Sequence, residues 1–224
     1  MSEYITTECS APTRGRTLDY AAFVYDWLSP LMTFGHEKRM GQIALELLNL
    51  KGREKIIDIG CGTGSLTIEA GRKLSAEMGG HIVGIDAAAK MVALARKKAV
   101  GMPQVRFDVS AAEKLDYEDQ TFDLALSTFF FHHIDAELKK TALNEIWRVL
   151  KKGGKAVIVD VDTPTTLFGK ICAWSGYVLF HQEEIRENIE GKLREIMRLS
   201  QFGDFQFVSS HLGYVSIFVL HKGS

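Results

Sequence analysis

The sequence predicts an α/β fold, a doubly wound and mostly parallel sheet between two layers of helices. Three observations predict it. The apolar run Lys55–Ile59 ends in three alternate glycines, Gly60, Gly62 and Gly64, and continues into a helix-forming segment, Ser65 to Ala70. A second apolar run, His81 to Asp86, ends in a carboxylate 22 residues beyond Gly64. Strand-like and helix-like stretches then alternate to Asp160, the order that yields parallel strands joined by helical crossovers.

The chain has 224 residues, enough for one α/β domain with additions and a substantial core. Its hydrophobic content of 46% and charged content of 25% are those of an ordinary globule. A formal net charge of −1 gives no basic excess with which to hold a nucleic-acid backbone. The three cysteines, Cys9, Cys61 and Cys172, are far apart and form no C-x-x-C pair. They predict neither a disulfide framework nor a metal site, and a reducing cytoplasm is the expected setting. No secretory leader is recognised, and no apolar run has the length of a membrane span. The oligomeric state is not legible.

The organising stretch is Ile56 to Gly64. Its apolar part reads as a strand buried on both faces. The glycines then form a tight turn where a ligand can meet bare backbone, and the free N–H groups of the following helix point back at that turn. A dinucleotide fingerprint is G-x-G-x-x-G, whereas the spacing here is G-x-G-x-G with Ser65 next. Asp58 is expected at the lip of the pocket, where a carboxylate repels a pyrophosphate and attracts an amine or a sulfonium. The run resembles the first motif of class I S-adenosylmethionine-dependent methyltransferases. A nucleotide-binding dehydrogenase is the alternative.

That resemblance implies S-adenosylmethionine as cofactor, S-adenosylhomocysteine as product, and a Rossmann-like three-layer sheet of seven strands closed by an antiparallel C-terminal hairpin strand. It places Asp58, Gly60, Cys61, Gly62 and Gly64 at the cofactor. It gives Asp86 the ribose hydroxyls, a task the residue's chemistry suits because one carboxylate accepts from two vicinal hydroxyls. Ala87 and Met91 join it from the start of the next helix. The same Asp86 could instead cap the helix Ala87–Val100.

Before the motif, residues 1–17 read as a loosely held polar arm. Leu18 to Phe34 is aromatic-rich and reads as an amphipathic helix. Tyr25 to Gly35 also resembles the segment ahead of the cofactor motif in quinone-biosynthesis methyltransferases, where this part covers the cofactor; Tyr20 and Tyr25 are therefore lid candidates. Met40 to Leu50 is a helix leading into the first strand. Residues 1–50 are thus expected as arm and lid, and 51–224 as a single domain.

After the turn, Ser65–Met78 is predicted helical and Gly79-Gly80 stops it. Gln104–Asp108 is a third strand. Ser110 to Tyr117 resembles the family's third signature, Gly-Asp-Ala-x-x-Leu-Pro-Phe, whose Asp accepts from the adenine amino group. Aligned through Leu115, that Asp is Ala111 here; Ser110 and Ala111 are counted among the cofactor contacts, and the adenine is held by Ser110 or a backbone carbonyl, or is held less tightly. Phe122–Thr128 is the fourth strand, which puts Ser127 among the cofactor contacts. His132 and His133 follow it, in a loop at the functional end of such sheets. Imidazole titrates near neutrality, so either could take a proton from a substrate. Loop and helix-start structure is the alternative.

Asp135 caps the next helix, and Leu143, Ile146, Trp147 and Leu150 recur at the spacing of a sheet-packed face. Arg148 to Gly154 resembles the family's R-x-L-K-x-G-G turn, read as structural, with Gly153-Gly154 releasing the chain into a strand Lys155–Asp160. The apolar stretch Leu167–Phe180, within an insertion at 165–182, reads equally as a buried helix, an apolar substrate wall or a lipid-touching patch. Glu183–Ser200 is an amphipathic helix. Phe205–Ser209 and Tyr214–Leu220 close the chain as a hairpin turned at Gly213.

The resemblance covers Tyr25 to about Asp160 and implies methyl transfer to a small, apolar acceptor of the quinone-precursor kind. A phospholipid headgroup amine is the alternative acceptor, with peripheral membrane contact open in both cases. A cofactor-binding module without transferase activity is the reading of another class, motivated by Ala111.

Overall fold

The computed structural model describes residues 8–15, 35–180 and 182–223. The aromatic stretch 18–34, with the lid candidates Tyr20 and Tyr25, lies outside them. Seven strands form one sheet in the order β3-β2-β1-β4-β5-β7-β6. They are β1 (Lys55–Ile59), β2 (His81–Asp86), β3 (Val105–Val109), β4 (Phe122–Thr128), β5 (Leu150–Val161), β6 (Phe205–His211) and β7 (Val215–His221). The pairs from β3 across to β5 are parallel; β7 runs antiparallel to both β5 and β6. The expected mostly parallel sheet with a C-terminal antiparallel hairpin strand is therefore what forms.

β1 is central because it is apolar on both sides. Ile57 and Ile59 enter one core cluster, with residues of α4 (Ala136–Val149) and α7 (Lys192–Leu199); Ile56 enters the other, with Met40, Ala44, Leu45 and Leu48 of α1 (Glu37–Leu48). A strand with alternate side chains on opposite faces needs such a run when both faces are covered. Strand order reverses between β1 and β4, and in sheets of this kind the crevice beyond the carboxyl ends at the reversal is the ligand site.

Four expectations about elements are corrected. The helix after the glycine turn, α2, spans only Ser65–Gly71. The Ser75 N–H, which a continuing helix would give to the Gly71 carbonyl, instead bonds the Gly52 carbonyl at 2.8 Å. The segment 183–200 is two helices, α6 (Glu183–Ile189) and α7, broken at Gly191 with φ +91°. The break lets Ile185 and Ile189 join one core cluster while Leu193, Ile196 and Met197 join the other. Gly153 and Gly154 do not precede β5 but lie within it, exchanging backbone bonds with Lys222 at 3.0 and 2.8 Å.

The fourth concerns the arm. Residues 8–15 are pinned along the sheet's carboxyl edge: the Ala11 N–H bonds the Ala87 carbonyl at 2.9 Å, Ser10 Oγ accepts from the Ala89 N–H at 3.1 Å, and Arg14 pairs with Asp135. Helix α3 (Ala89–Lys98) follows β2, and α4 starts at Asp135, whose carboxylate accepts from the Leu138 N–H at 2.9 Å as expected of an N-cap. Arg148 holds the chain before β4 by donating to the carbonyls of Leu115 and Tyr117, a structural use of the R-x-L-K-x-G-G turn.

Leu167–Phe180 is helix α5, and it is not a buried helix. Leu167, Phe168, Ile171 and Val178 are 52–77% exposed, while Ala173 is buried and Trp174 and Tyr177 pack on the core. No helix among the described residues is long and apolar enough to cross a bilayer.

Candidate functional site

Two hollows meet above the carboxyl ends of β1 and β4. The narrower, ≈ 60 Å³, is lined by the glycine turn, Asp86, Ala87, Met91, Ser110, Glu113 and His133, among others. The wider, ≈ 730 Å³, runs from the same turn over Cys61, Thr63 and Ser65 to Glu37, Lys38 and Arg72. Gly60, Gly62 and Phe129 line both, so the two form one cleft, and only the wider is of the size that takes a drug-sized molecule.

The turn is built by backbone geometry. Gly60, Gly62 and Gly64 have φ of +71°, +53° and +77°, the left-handed region where only glycine is unstrained. The N–H groups of Gly60 and Cys61 both bond the Ile85 carbonyl at 2.9 Å, tying the turn to β2. Asp86 extends the tie: one carboxylate oxygen accepts from the Gly62 N–H and the other from the Ala88 N–H, each at 2.9 Å. The register Ile59↔Ile85 is what brings residues 24 positions apart together.

Asp58 is not at the lip. It is 1% exposed beneath the turn, because it follows Ile56 by two and so faces α2. One oxygen accepts from Thr67 Oγ1 at 2.6 Å; the other has no partner among the described residues. Burial pushes its carboxyl up to about 7, opposed by the Thr67 hydroxyl and reinforced by the charge of Asp86. The unfolded chain therefore ionises Asp58 first, and the folded state holds the extra proton between about pH 4 and 7. This group's share of stability is full below pH 3.8 and declines as pH rises to about 7, by at most ~4 kcal/mol. Melting temperatures at pH 5 and pH 8 should differ less in Asp58→Asn than in the wild type; an equal gap would mean that Asp58 carries its charge in the fold.

Cys61 lines the wider hollow, but burial, then Asp86 and Asp58, raise its thiol well above the ordinary value, which makes it a poor nucleophile. Three expected contacts turn away from the cleft. Ser127 is buried and donates to the Ile59 carbonyl at 3.0 Å, its hydroxyl spent between β4 and β1. Gly64 faces Phe107 and Ala95 in the core, and Ala111 is buried off the lining. Beside Ser110, the lining carries Ala112 and the carboxylate side chain of Glu113 instead. The chain turns at Ala111, whose carbonyl accepts from the Lys114 N–H, so the position that the Leu115 alignment gives to the family's Asp carries a buried alanine.

Directly after β4 comes Phe129, a bulky residue at φ +54° whose N–H bonds the Val159 carbonyl at 2.8 Å. Such a conformation costs about 1–3 kcal/mol and collects at ligand sites. A 3₁₀ turn follows, Phe131–His133. His132 and His133 lie with ring centroids 4.0 Å apart; His133 Nδ1 is 3.3 Å from Gln182 Oε1, and His132 Nδ1 is 2.8 Å from Asp160 Oδ1. Sequence reasoning missed Glu113, Phe129, Phe130 and Asp160. For Asp160 the signal existed, since it ends a buried apolar run as Asp86 does.

The residues present fit an adenosyl sulfonium. A Cβ on Gly62 would meet nothing within 4 Å, so the backbone there is open to a ligand. Asp86 lines the narrow hollow, and Asp58 lies under the turn with a buried oxygen that has no partner among the described residues. No group of metal-binding side chains occurs among the described residues.

Residues 56–154 match the family profile described as a methyltransferase domain. The chain is 32% identical over 151 residues, 66% of its length, to a ubiquinone/menaquinone biosynthesis C-methyltransferase of Geobacter sulfurreducens, and covers 57% of that protein. It is 33% identical over 67% of its length to an uncharacterised methyltransferase of Synechocystis, of which it covers 68%. A solved S-adenosylmethionine-dependent methyltransferase from Aquifex aeolicus superposes with a TM-score of 0.62 at 19% identity, over 92% of this chain and 100% of that one, which speaks for the fold. The matched region spans about three fifths of the quinone-pathway relatives it resembles. Glycine turn, strand order and relatives agree: the chain belongs to the class I S-adenosylmethionine-dependent methyltransferases.

Proposed function

We propose that this chain transfers the methyl group of S-adenosylmethionine to a small apolar acceptor, a quinone precursor, in the cytoplasm. The observation that carries the proposal is the double cleft over the glycine turn, a narrow hollow lined by Asp86 that joins a chamber large enough for a cofactor and an acceptor. Several relatives are named for ubiquinone, menaquinone or demethylmenaquinone methylation, which supports a quinone-like acceptor. When bound, the cofactor supplies an electrophilic methyl on a sulfonium.

The residues of this chain bind and align. In this reading Gly60, Cys61 and Gly62 present backbone to the cofactor, Asp86 takes its ribose, and Ala87, Met91 and Ser110 line its adenosine end. Phe129 walls both hollows and separates the two reactants until they meet in line. Residues 51–224 act as the transferase body, with 165–182 on the acceptor side, and residues 1–50 as arm and cover.

Calorimetry with S-adenosylmethionine and with NAD should give binding of the first alone. Turnover with labelled cofactor should then place the label in the apolar fraction of a lipid extract. Label only in water-soluble metabolites would refute the acceptor, label in phospholipid would favour the headgroup amine, and binding without product would favour a non-catalytic module.

The exposed face of α5 favours lipid contact as the way a greasy acceptor is reached. Leu167, Ile171 and Val178 fall at i, i+4 and i+11 and are each more than 60% exposed. Ile171→Gln with Val178→Gln should abolish sedimentation with phosphatidylglycerol vesicles and leave the melting temperature unchanged. Equal sedimentation of variant and wild type would remove α5 from the membrane.

A further inference from the structure

We infer that His132 is the base that takes a hydroxyl proton from the acceptor and that Asp160 positions it, so that the acceptor is a phenol or hydroquinone rather than an amine. The inference rests on the transferase reading and deepens it.

Asp160 ends the buried part of β5 and is fully buried. Its oxygens accept from the Phe131 N–H at 2.7 Å and the Val161 N–H at 2.7 Å, with the Asn188 side-chain amide at 3.5 Å. The remaining strong contact is His132 Nδ1 at 2.8 Å. A carboxylate only accepts, so Nδ1 carries a proton, and in the neutral ring the lone pair then sits on Nε2. No described residue bonds Nε2, and the imidazole is 11% exposed. Around the ring stand Phe129, edge-on at 6.4 Å, His133 at 4.0 Å, and Asp160 with Asn188 behind it. Phe129 lines both hollows and His133 the narrower, so His132, in ring contact with both, stands directly behind the wall where they join. This carboxylate–imidazole–acceptor order is the general arrangement in which a buried acid fixes the tautomer of a base and faces the imidazolium it becomes.

The step balances simply. The hydroxyl proton moves to Nε2, the O–H electron pair stays on oxygen and is shared with the ring, and the proton later passes to water. Nothing is oxidised or reduced. A neutral amine already carries its lone pair and has no need of such a base.

The test uses the full chain. Nitrogen-15 spectra of histidine-labelled protein should show His132 with Nδ1 protonated and Nε2 bare, and Asp160→Asn should invert this because the amide presents a donor. His132→Asn keeps a side-chain N–H for Asp160. It should bind S-adenosylmethionine as tightly as wild type and lose about 10²–10⁴ in turnover of a prenylated 1,4-naphthohydroquinone. An Nε2-protonated tautomer in wild type, or undiminished turnover by His132→Asn, overturns the inference. A wild type that binds the cofactor and methylates only amines overturns it too, leaving the transferase reading standing. A wild type that binds no S-adenosylmethionine in calorimetry fails the transferase reading itself, and the base role falls with it.

Discussion

Replacing Gly64 with alanine is expected to lower the melting temperature far more than replacing Gly62, although both residues hold a left-handed φ. At Gly62 a Cβ meets nothing within 4 Å, so the variant carries only the conformational cost of about 1–2 kcal/mol. At Gly64 a Cβ lands 2.5 Å from Phe107 Cζ and 2.8 Å from Ala95 Cβ. Phe107 and Ala95 are buried in one cluster with Ile68 and Val92, so neither can withdraw cheaply. Overpacking adds about 1–3 kcal/mol, for a total of about 2–5 kcal/mol. In a chain of this size each kcal/mol moves the midpoint by about 2–4 °C. Calorimetric melting of both variants measures the difference. Equal shifts would mean that helix α2 packs less closely on α3 and β3 than the structure has it.

Asp86→Ala is expected to weaken S-adenosylmethionine at least tenfold. The carboxylate is the acceptor for the Gly62 and Ala88 N–H groups, so its removal loosens the turn that faces the ligand as well as deleting a charged hydrogen-bonding group. A hydrogen bond to a charged group is worth about 1.5–3 kcal/mol, which converts to roughly 10–150-fold in the dissociation constant. Asp86→Asn should fall between, since its amide oxygen still accepts but its nitrogen opposes a backbone donor. Titration calorimetry reads both. An unchanged constant in the alanine variant removes Asp86 from the ribose.

The contrast between these two positions shows how far the residues alone could be read. The glycine turn, the carboxylate that ends β2 at Asp86, and the hairpin turned at Gly213 were all legible, because backbone freedom and two-residue alternation are local properties. Which glycine faces a ligand and which faces the core was not. Gly62 and Gly64 look alike in the chain and differ through Ala95 and Phe107, 31 and 43 residues beyond Gly64. The same holds for Asp58: its type and place at a strand end suggested the pocket lip, whereas the alternation that buries Ile56 also buries Asp58 against α2. The helix 65–78 ended early because a loop carbonyl at Gly52 competed for a backbone donor, an interaction with no sequence signature.

By itself the sequence determined the doubly wound sheet, the glycine turn, the carboxylate that follows β2 and the class of cofactor, since each depends on residues that are neighbours along one strand or turn. Tertiary structure alone decided that Ser127 and Ala111 turn from the cleft, that α5 shows an apolar face to solvent, and that His132 meets Asp160. Those outcomes depend on which buried donors and apolar faces find partners after the strands have assembled, and that pairing joins positions 28 or more residues apart.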